Sequence, residues 1–269
     1  MIRLKPDNDI CVRKAKAKRV PLLILSPREA PEHRTGILWI HGGGYITGMK
    51  EMVYMSRAMG LVKKLGCTVI SPGYRLAFRA PYPAAVEDCY EALVFMRDNA
   101  PSLGIDPERI LIGGESAGGG LCAALCMMAR DKGIKIAFQM PLYPMLDNFD
   151  TESSRDNHGR VWNTRKNHFA WKMYLRGNYG KIVSPYAAPA RQTDYAGLPP
   201  AYTFVGDQEP FCRETLDYVE HLRSAGIAAD IDVYHTDVHA FDMLKPTWEI
   251  SRLAIERFEA YMEKTIRAL

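Results

Sequence analysis

One serine stands in a frame suited to nucleophilic chemistry: Gly114-Glu115-Ser116-Ala117-Gly118, directly after the apolar run 109–113 and ahead of a small-residue stretch with helical character. A hydroxyl is a weak nucleophile until a base takes its proton, so a reactive serine must project from a sharp turn that base and substrate can both reach. A G-x-S-x-G pattern between a strand and a helix supplies that turn. Its glycines permit close backbone approach, and the helix N-terminus favours developing negative charge. A Gly-rich turn entering a helix can also hold phosphate. Here no Lys-Ser/Thr follows it and no G-x-G-x-x-G opens the first strand-to-helix turn, so the residues a nucleotide site needs are missing.

A second pattern, His41-Gly42-Gly43-Gly44-Tyr45, ends the apolar run 36–41. Acyl transfer passes through a tetrahedral oxyanion, and backbone N–H groups fixed in a glycine run can receive it, each worth on the order of 3 kcal/mol in the transition state. Gly43, Gly44 and Ala117 are the expected donors. The chain has seven histidines. His33 lies in a polar loop, His158 and His168 in a long irregular stretch, His221 in a surface helix, and His41 in the glycine turn itself. His235 and His239 both follow the last strand, and His239, in the loop beyond its end, is the expected general base. The carboxylate that orients it should follow the penultimate strand, where Val205-Gly-Asp207-Gln-Glu209-Pro-Phe211 offers both Asp207 and Glu209.

The elements that must position these residues are legible as short apolar runs alternating with stretches of helical period. Strands are predicted at 20–25, 36–41, 67–71, 109–113, 135–140, 200–205 and 229–235, and helices at 50–64, 84–99, 117–130, 213–225 and 248–267. Such alternation implies a mostly parallel sheet with helices on both faces. The first two of those strands have no helix between them, which predicts an antiparallel edge. The alternate charges of Lys14-Ala-Lys16-Ala-Lys18-Arg19 read as the wet face of an edge strand. Between strands near 140 and 200, about sixty residues show little strand character, and a stretch that long inside one domain is usually functional. It should hold a helix near 167–176 and form a cap insert at about 145–195 within a single domain spanning 1–269.

Composition narrows the class. With 47% hydrophobic and 25% charged residues, the chain reads as an ordinary soluble globular protein. A net charge of +4 is too small to argue for nucleic acid. The six cysteines form no C-x-x-C pair and no Cys/His spacing suited to zinc. Residues 20–25 are too short for a signal or membrane segment, so no membrane partner and a cytoplasmic setting are expected. No metal or other cofactor is required by this chemistry, and nothing in the sequence addresses oligomeric state.

The blocks His41–Tyr45, Tyr74-Arg-Leu-Ala77, Tyr82-Pro-Ala-Ala-Val-Glu-Asp88, Gly113–Gly119, Ser184-Pro-Tyr186, Gly197-Leu-Pro-Pro200 and His239-Ala-Phe241 resemble, in order, those of the hormone-sensitive-lipase-like bacterial esterases. That resemblance implies the α/β-hydrolase fold, a mostly parallel central sheet carrying a small helical cap insert. It implies serine esterase activity on small, short-acyl carboxylic esters, acetyl to hexanoyl, with a small-molecule ester as the partner. Hydrolysis of another acyl bond (amide, formamide or sugar acetate) and a non-catalytic binding role on the same scaffold are the alternatives. Aligning Gly206 and Pro210 with the family's acid segment selects Glu209 over Asp207. Glu115 stands where the family more often has Asp, and Phe78-Arg-Ala80 replaces its usual Pro-Glu-containing turn. Family members commonly begin with helices that form half of the cap; here the first strand starts near residue 10, so an open pocket is expected. Tyr45, Trp171, Tyr174 and Phe241 are candidate pocket walls, and Arg75 with Asp88 should form a buried pair.

Overall fold

The computed structural model describes residues 9–29 and 33–269, which hold one eight-stranded sheet. Its strands are β1 (Ile10–Ala17), β2 (Val20–Pro27), β3 (Arg34–Ile40), β4 (Thr68–Pro72), β5 (Ile105–Glu115), β6 (Phe138–Leu142), β7 (Ala201–Gly206) and β8 (Ala229–Tyr234). They lie in the order β1-β2-β4-β3-β5-β6-β7-β8, and only β2 runs against the rest. The antiparallel edge is therefore the hairpin β1–β2, with Lys14 and Lys16 on its outer strand. Strand β3, expected beside β2, sits two places away. A parallel pair needs a long crossover. The chain leaves β3, passes through helix α1 (Ala58–Leu65) and returns as β4 between β2 and β3.

Six further helices follow: α2 (Ala84–Asp98), α3 (Ala117–Asp131), α4 (Thr164–Leu175), α5 (Cys212–Ser224), the single turn α6 (Phe241–Leu244) and α7 (Glu249–Ala268). The helix predicted over 50–64 is two pieces. A tight helical turn at Lys50–Met55 ends where Ser56 turns extended, and its hydroxyl donates to Val53 O (2.8 Å) while accepting from Ala58 N (3.1 Å). A serine side chain that satisfies both helix ends favours this break over one continuous helix. Among the described residues no helix is long and apolar enough to cross a membrane.

Two cores lie against the two sheet faces. Helices α2, α3 and α5 cover one, around Leu38, Ile40, Ile112, Leu121 and Val219; α1 and α7 cover the other, around Trp39, Leu111, Phe204 and Phe258. Helix α3 comes close enough to the sheet that a Cβ on Gly118 would lie 2.0 Å from Ile40 O, and one on Gly114 would lie 2.5 Å from Gly118 O. These glycines are demanded by backbone contact.

The long stretch after β6 carries α4, which starts three residues earlier than predicted because the Asn163 side chain accepts from Lys166 N and caps it. The buried Glu214 carboxyl on α5 accepts from Leu146 N and Asp147 N and fixes the start of the insert. Just past α4, Arg176 donates to the carbonyls of Ala77 and Phe78.

Phe258 on α7 is fully buried against Trp39, Tyr202 and Phe204, with ring centroids 6.0 to 6.5 Å away. Phe258→Ala should lower unfolding free energy by about 3–5 kcal/mol in urea denaturation; a loss below about 1 kcal/mol would contradict the packing described.

Candidate active site

Strands β3, β5, β7 and β8 all end at one edge of the sheet, and each hands the chain to a loop carrying a candidate group. Open parallel sheets place their sites beyond the carboxyl ends of their strands for this reason.

Ser116 joins β5 to α3 with φ 57° and ψ −120°, a left-handed conformation that costs a non-glycine residue on the order of 1–3 kcal/mol. Its backbone is held on both sides: Ser116 N donates to Leu142 O (3.0 Å), and Ser116 O accepts from Gly120 N (2.9 Å) and Met145 N (3.0 Å). The turn directs Oγ to 2.9 Å from His239 Nε2. The opposite nitrogen, Nδ1, meets the Glu209 carboxylate in a short contact. A carboxylate only accepts, so the imidazole proton sits on Nδ1 and Nε2 is left to accept from the serine hydroxyl. Glu209 also accepts from Gly206 N (3.3 Å), which holds it in the turn that starts α5.

The two acid–histidine pairs left open by chemistry separate in space. Asp207 bonds His235 Nδ1 (2.8 Å) and Thr236 N (3.1 Å) at the surface, with the His235 side chain 82% exposed. Glu209 and His239 side chains are 1% and 5% exposed. Phe211 and Tyr143 enclose the His239 ring edge-on at 5.0 and 5.2 Å, and Trp162 stands 6.4 Å away.

The glycine turn after β3 lies across from the serine. A Cβ on Gly42 would come within 3.2 Å of Ser116 Cβ, and Gly43 and Gly44 have φ of 115° and 59°. Gly43 O accepts from Ile46 N (3.1 Å), Thr47 N (3.0 Å) and the Thr47 hydroxyl (3.1 Å), closing the turn. No hydrogen bond among the described residues uses the N–H of Gly43, Gly44 or Ala117. Such donors, already oriented, can receive an oxyanion. His41 is buried and stacked on Tyr74 at 4.2 Å, and its Nδ1 lies 2.8 Å from Gly42 O; burial depresses its pKa to about 4, so it packs the turn as a neutral ring.

The aromatic residues expected as pocket walls are packing residues. Tyr45 donates to Met145 O (2.9 Å) and stacks on Tyr174 at 4.1 Å, with Trp171 behind it. Phe241 points into the core beside Phe204 and Tyr234. All four side chains are about 1% exposed. The wall that faces the turn is Trp162, whose ring would meet a Cβ on Gly44 at 2.4 Å. Nothing in the spacing of Trp162 distinguished it from the other aromatics of the insert. Arg75 pairs with Asp88 through Nε (2.8 Å), tying the loop after β4 to α2, although Arg75 remains about one-third exposed.

Behind the elbow lies a buried polar group that sequence reasoning missed. Trp39 Nε1 donates to the Glu115 carboxyl (2.8 Å); Asp242 pairs with Arg57 Nε (2.9 Å) and accepts from the Tyr143 hydroxyl (2.9 Å). Burial, then the nearby Asp242, pushes the Glu115 carboxyl up to about 8. Burial likewise raises Asp242, opposed by Arg57. The available signal was an acid three residues after His239.

The fold has counterparts among known proteins. The model of a family described as alpha/beta hydrolase fold matches residues 37–243. An arylesterase of Saccharolobus solfataricus is 33% identical over 226 residues, 82% of this chain and 72% of the relative. Carboxylesterase NlhH of Mycobacterium tuberculosis is 29% identical over 230 residues, 82% of this chain and 71% of its own. Among solved structures, one titled bacterial heroin esterase superposes with a TM-score of 0.92 at 31% identity, covering 96% of this chain and 85% of that one.

The Glu115 shift has a consequence for stability. The folded chain binds this proton more tightly than the unfolded chain does, so stability should decline as pH rises from about 4.5 through about 8. Glu115→Gln removes that titration. Its urea midpoint should fall less than the parent's between those limits, and identical pH slopes would contradict the assignment.

Proposed function

The chain belongs to the α/β-hydrolase fold family, among its hormone-sensitive-lipase-like esterases, and on that premise we propose that this carboxylic ester hydrolase acts on small esters through an acyl-enzyme on Ser116. The observation that carries the reading is the continuous contact from Glu209 through His239 to Ser116 Oγ, 2.9 Å from Nε2.

Ser116 Oγ attacks the ester carbonyl carbon while His239 Nε2 takes its proton, and Glu209 stabilises the imidazolium against Nδ1. The carbonyl oxygen becomes an oxyanion facing the N–H groups of Gly43, Gly44 and Ala117. When the carbon–oxygen bond breaks, the imidazolium returns the proton to the departing alcohol. Water then attacks the acyl-serine, again losing a proton to His239, and the acid leaves with Ser116 restored. The left-handed serine supports this reading, because it keeps Oγ clear of its own helix without a conformational step. The Trp162 ring, packed on Gly44 and 6.4 Å from His239, favours short acyl chains, acetyl to hexanoyl.

A panel of 4-nitrophenyl esters from acetyl to dodecanoyl tests the proposal. Turnover should be fastest at the short end, and Ser116→Ala should lose about 10⁴-fold or more in kcat. Full activity in that variant would overturn the mechanism. A parent inactive on every ester but active on anilides or formamides would move the reading to those acyl bonds. Glu209→Gln should cost at least about 10²-fold more than Asp207→Asn, because only Glu209 contacts the ring that contacts the serine.

A further inference from the structure

An open groove of about 530 Å³ adjoins the glycine turn. One side is Ile46 and Thr47 of that turn, and the other is Trp162, Arg165, Lys166 and Phe169 of the insert. Trp162 separates this groove from the serine: its ring touches Gly44 on one side and approaches His239 on the other. The groove thus begins one indole ring away from His239, the span a substrate arm running along that ring has to cover.

The walls and the charges of the groove call for different parts of a ligand. Phe169 is 49% exposed and packs at 6.2 Å from Phe78, itself 50% exposed, so apolar surface stays open at the rim. The charged residues that line the groove are both cations, and no carboxylate lines it. Lys166 Nζ donates to the carbonyls of Arg160 (3.0 Å) and Val161 (2.7 Å), which holds its charge in place without neutralising it. Arg165 makes no hydrogen bond or ion pair among the described residues. Several other surface arginines of the helices are matched: Arg130 with Asp131, Arg213 with Asp217 and Arg267 with Glu263. The wider insert repeats the imbalance. Residues 151–172 carry five Lys and Arg (155, 160, 165, 166, 172) against two acids (152, 156), three of the chain's net +4. The acids nearby do not pair with Arg165: Asp150 pairs with His168, and Asp156, which shares a neighbouring groove with Arg165, makes no ion pair among the described residues.

We propose that this groove selects esters bearing a carboxylate on a short apolar or aromatic spacer, with Arg165 and Lys166 as the specificity-determining residues. The spacer lies along Trp162, Ile46 and Phe169, and the carboxylate meets the two cations while the carbonyl reaches Ser116. This inference rests on the esterase reading and names its substrate class. Hydrophobic walls alone would bind neutral and anionic esters of equal size with little distinction; the uncompensated cations make the difference.

Two matched ester pairs test it, one with the charge on the alcohol side and one on the acyl side: 4-acetoxybenzoate beside methyl 4-acetoxybenzoate, and 4-nitrophenyl hydrogen adipate beside 4-nitrophenyl methyl adipate. The quantity read is the ratio of kcat/KM for the anion to that for its neutral partner. Intrinsic reactivity cancels when this ratio is compared between parent and variants. In at least one pair, Arg165→Gln combined with Lys166→Gln should lower the ratio about fivefold or more, chiefly through KM, and Arg165→Glu should lower it further. Raising salt to about 0.5 M should erode the parent's ratio and leave that of the double variant nearly flat. A ratio that moves less than about twofold in both pairs, on an enzyme that turns over the neutral esters, overturns the anion subsite and leaves the esterase reading standing. A parent that turns over none of the four overturns both.

Discussion

Ser116 keeps a backbone conformation that serine does not choose by itself, and much of the molecule is arranged around that fact. At φ 57° the residue turns β5 sharply into α3, and the helix is driven against the ends of β3 and β5. Only glycine fits at 114 and 118, because carbonyl oxygens of Ile40 and Gly118 occupy the space a side chain would need. The strain is offset by hydrogen bonds to Leu142, Gly120 and Met145, so the elbow is fixed by its neighbours on the sheet edge and the helix. A serine oxygen so fixed needs partners at one height above the sheet, and the loops after β3, β7 and β8 supply them there.

Burial explains why one acid–histidine pair faces the serine and the other does not. The Asp207–His235 contact is wet, and an exposed pair contributes little to orientation or stability. Glu209 and His239 are enclosed by Phe211, Tyr143 and Trp162, where water does not compete for the same hydrogen bonds. Beneath them, Trp39, Glu115, Asp242, Arg57 and Tyr143 occupy the space between elbow and base loop. Two carboxyls facing one guanidinium in a dry site favour retention of a proton: burial raises both, and the Glu115 carboxyl reaches about 8.

The insert acts as cover and boundary in the same stroke. Glu214 fixes its start, Asn163 caps α4, and Arg176 ties the end of α4 to the loop before α2. Tyr45, Trp171 and Tyr174 are consumed in joining α4 to the glycine turn, which leaves Trp162 as the residue between the serine and the outer groove. The same packing that makes the aromatics structural exposes the cations on the outer side of α4.

The sequence by itself determined the parts that depend on local geometry. A G-x-S-x-G between a strand and a helix, a glycine run ending another strand, and alternating periodicity were enough for the fold class, the sharp serine turn and the glycine turn beside it, because strand, turn and helix each impose their own residue types within a few positions. The break at Ser56 within 50–64 was missed, although it rests on a local side chain that competes with the backbone. Tertiary structure decided what depends on which distant residues meet. Asp207 and Glu209 are two positions apart and chemically alike; only the path of the turn after β7 sends one to His235 and the other to His239. Strand order was hidden for the same reason: β4 enters between β2 and β3 although it follows them in the chain. An aromatic side chain carries no mark of whether it will be buried or face a ligand. Trp162 and Trp171 look alike in the sequence, and only the packing of α4 against the glycine turn buried one and left the other at the mouth.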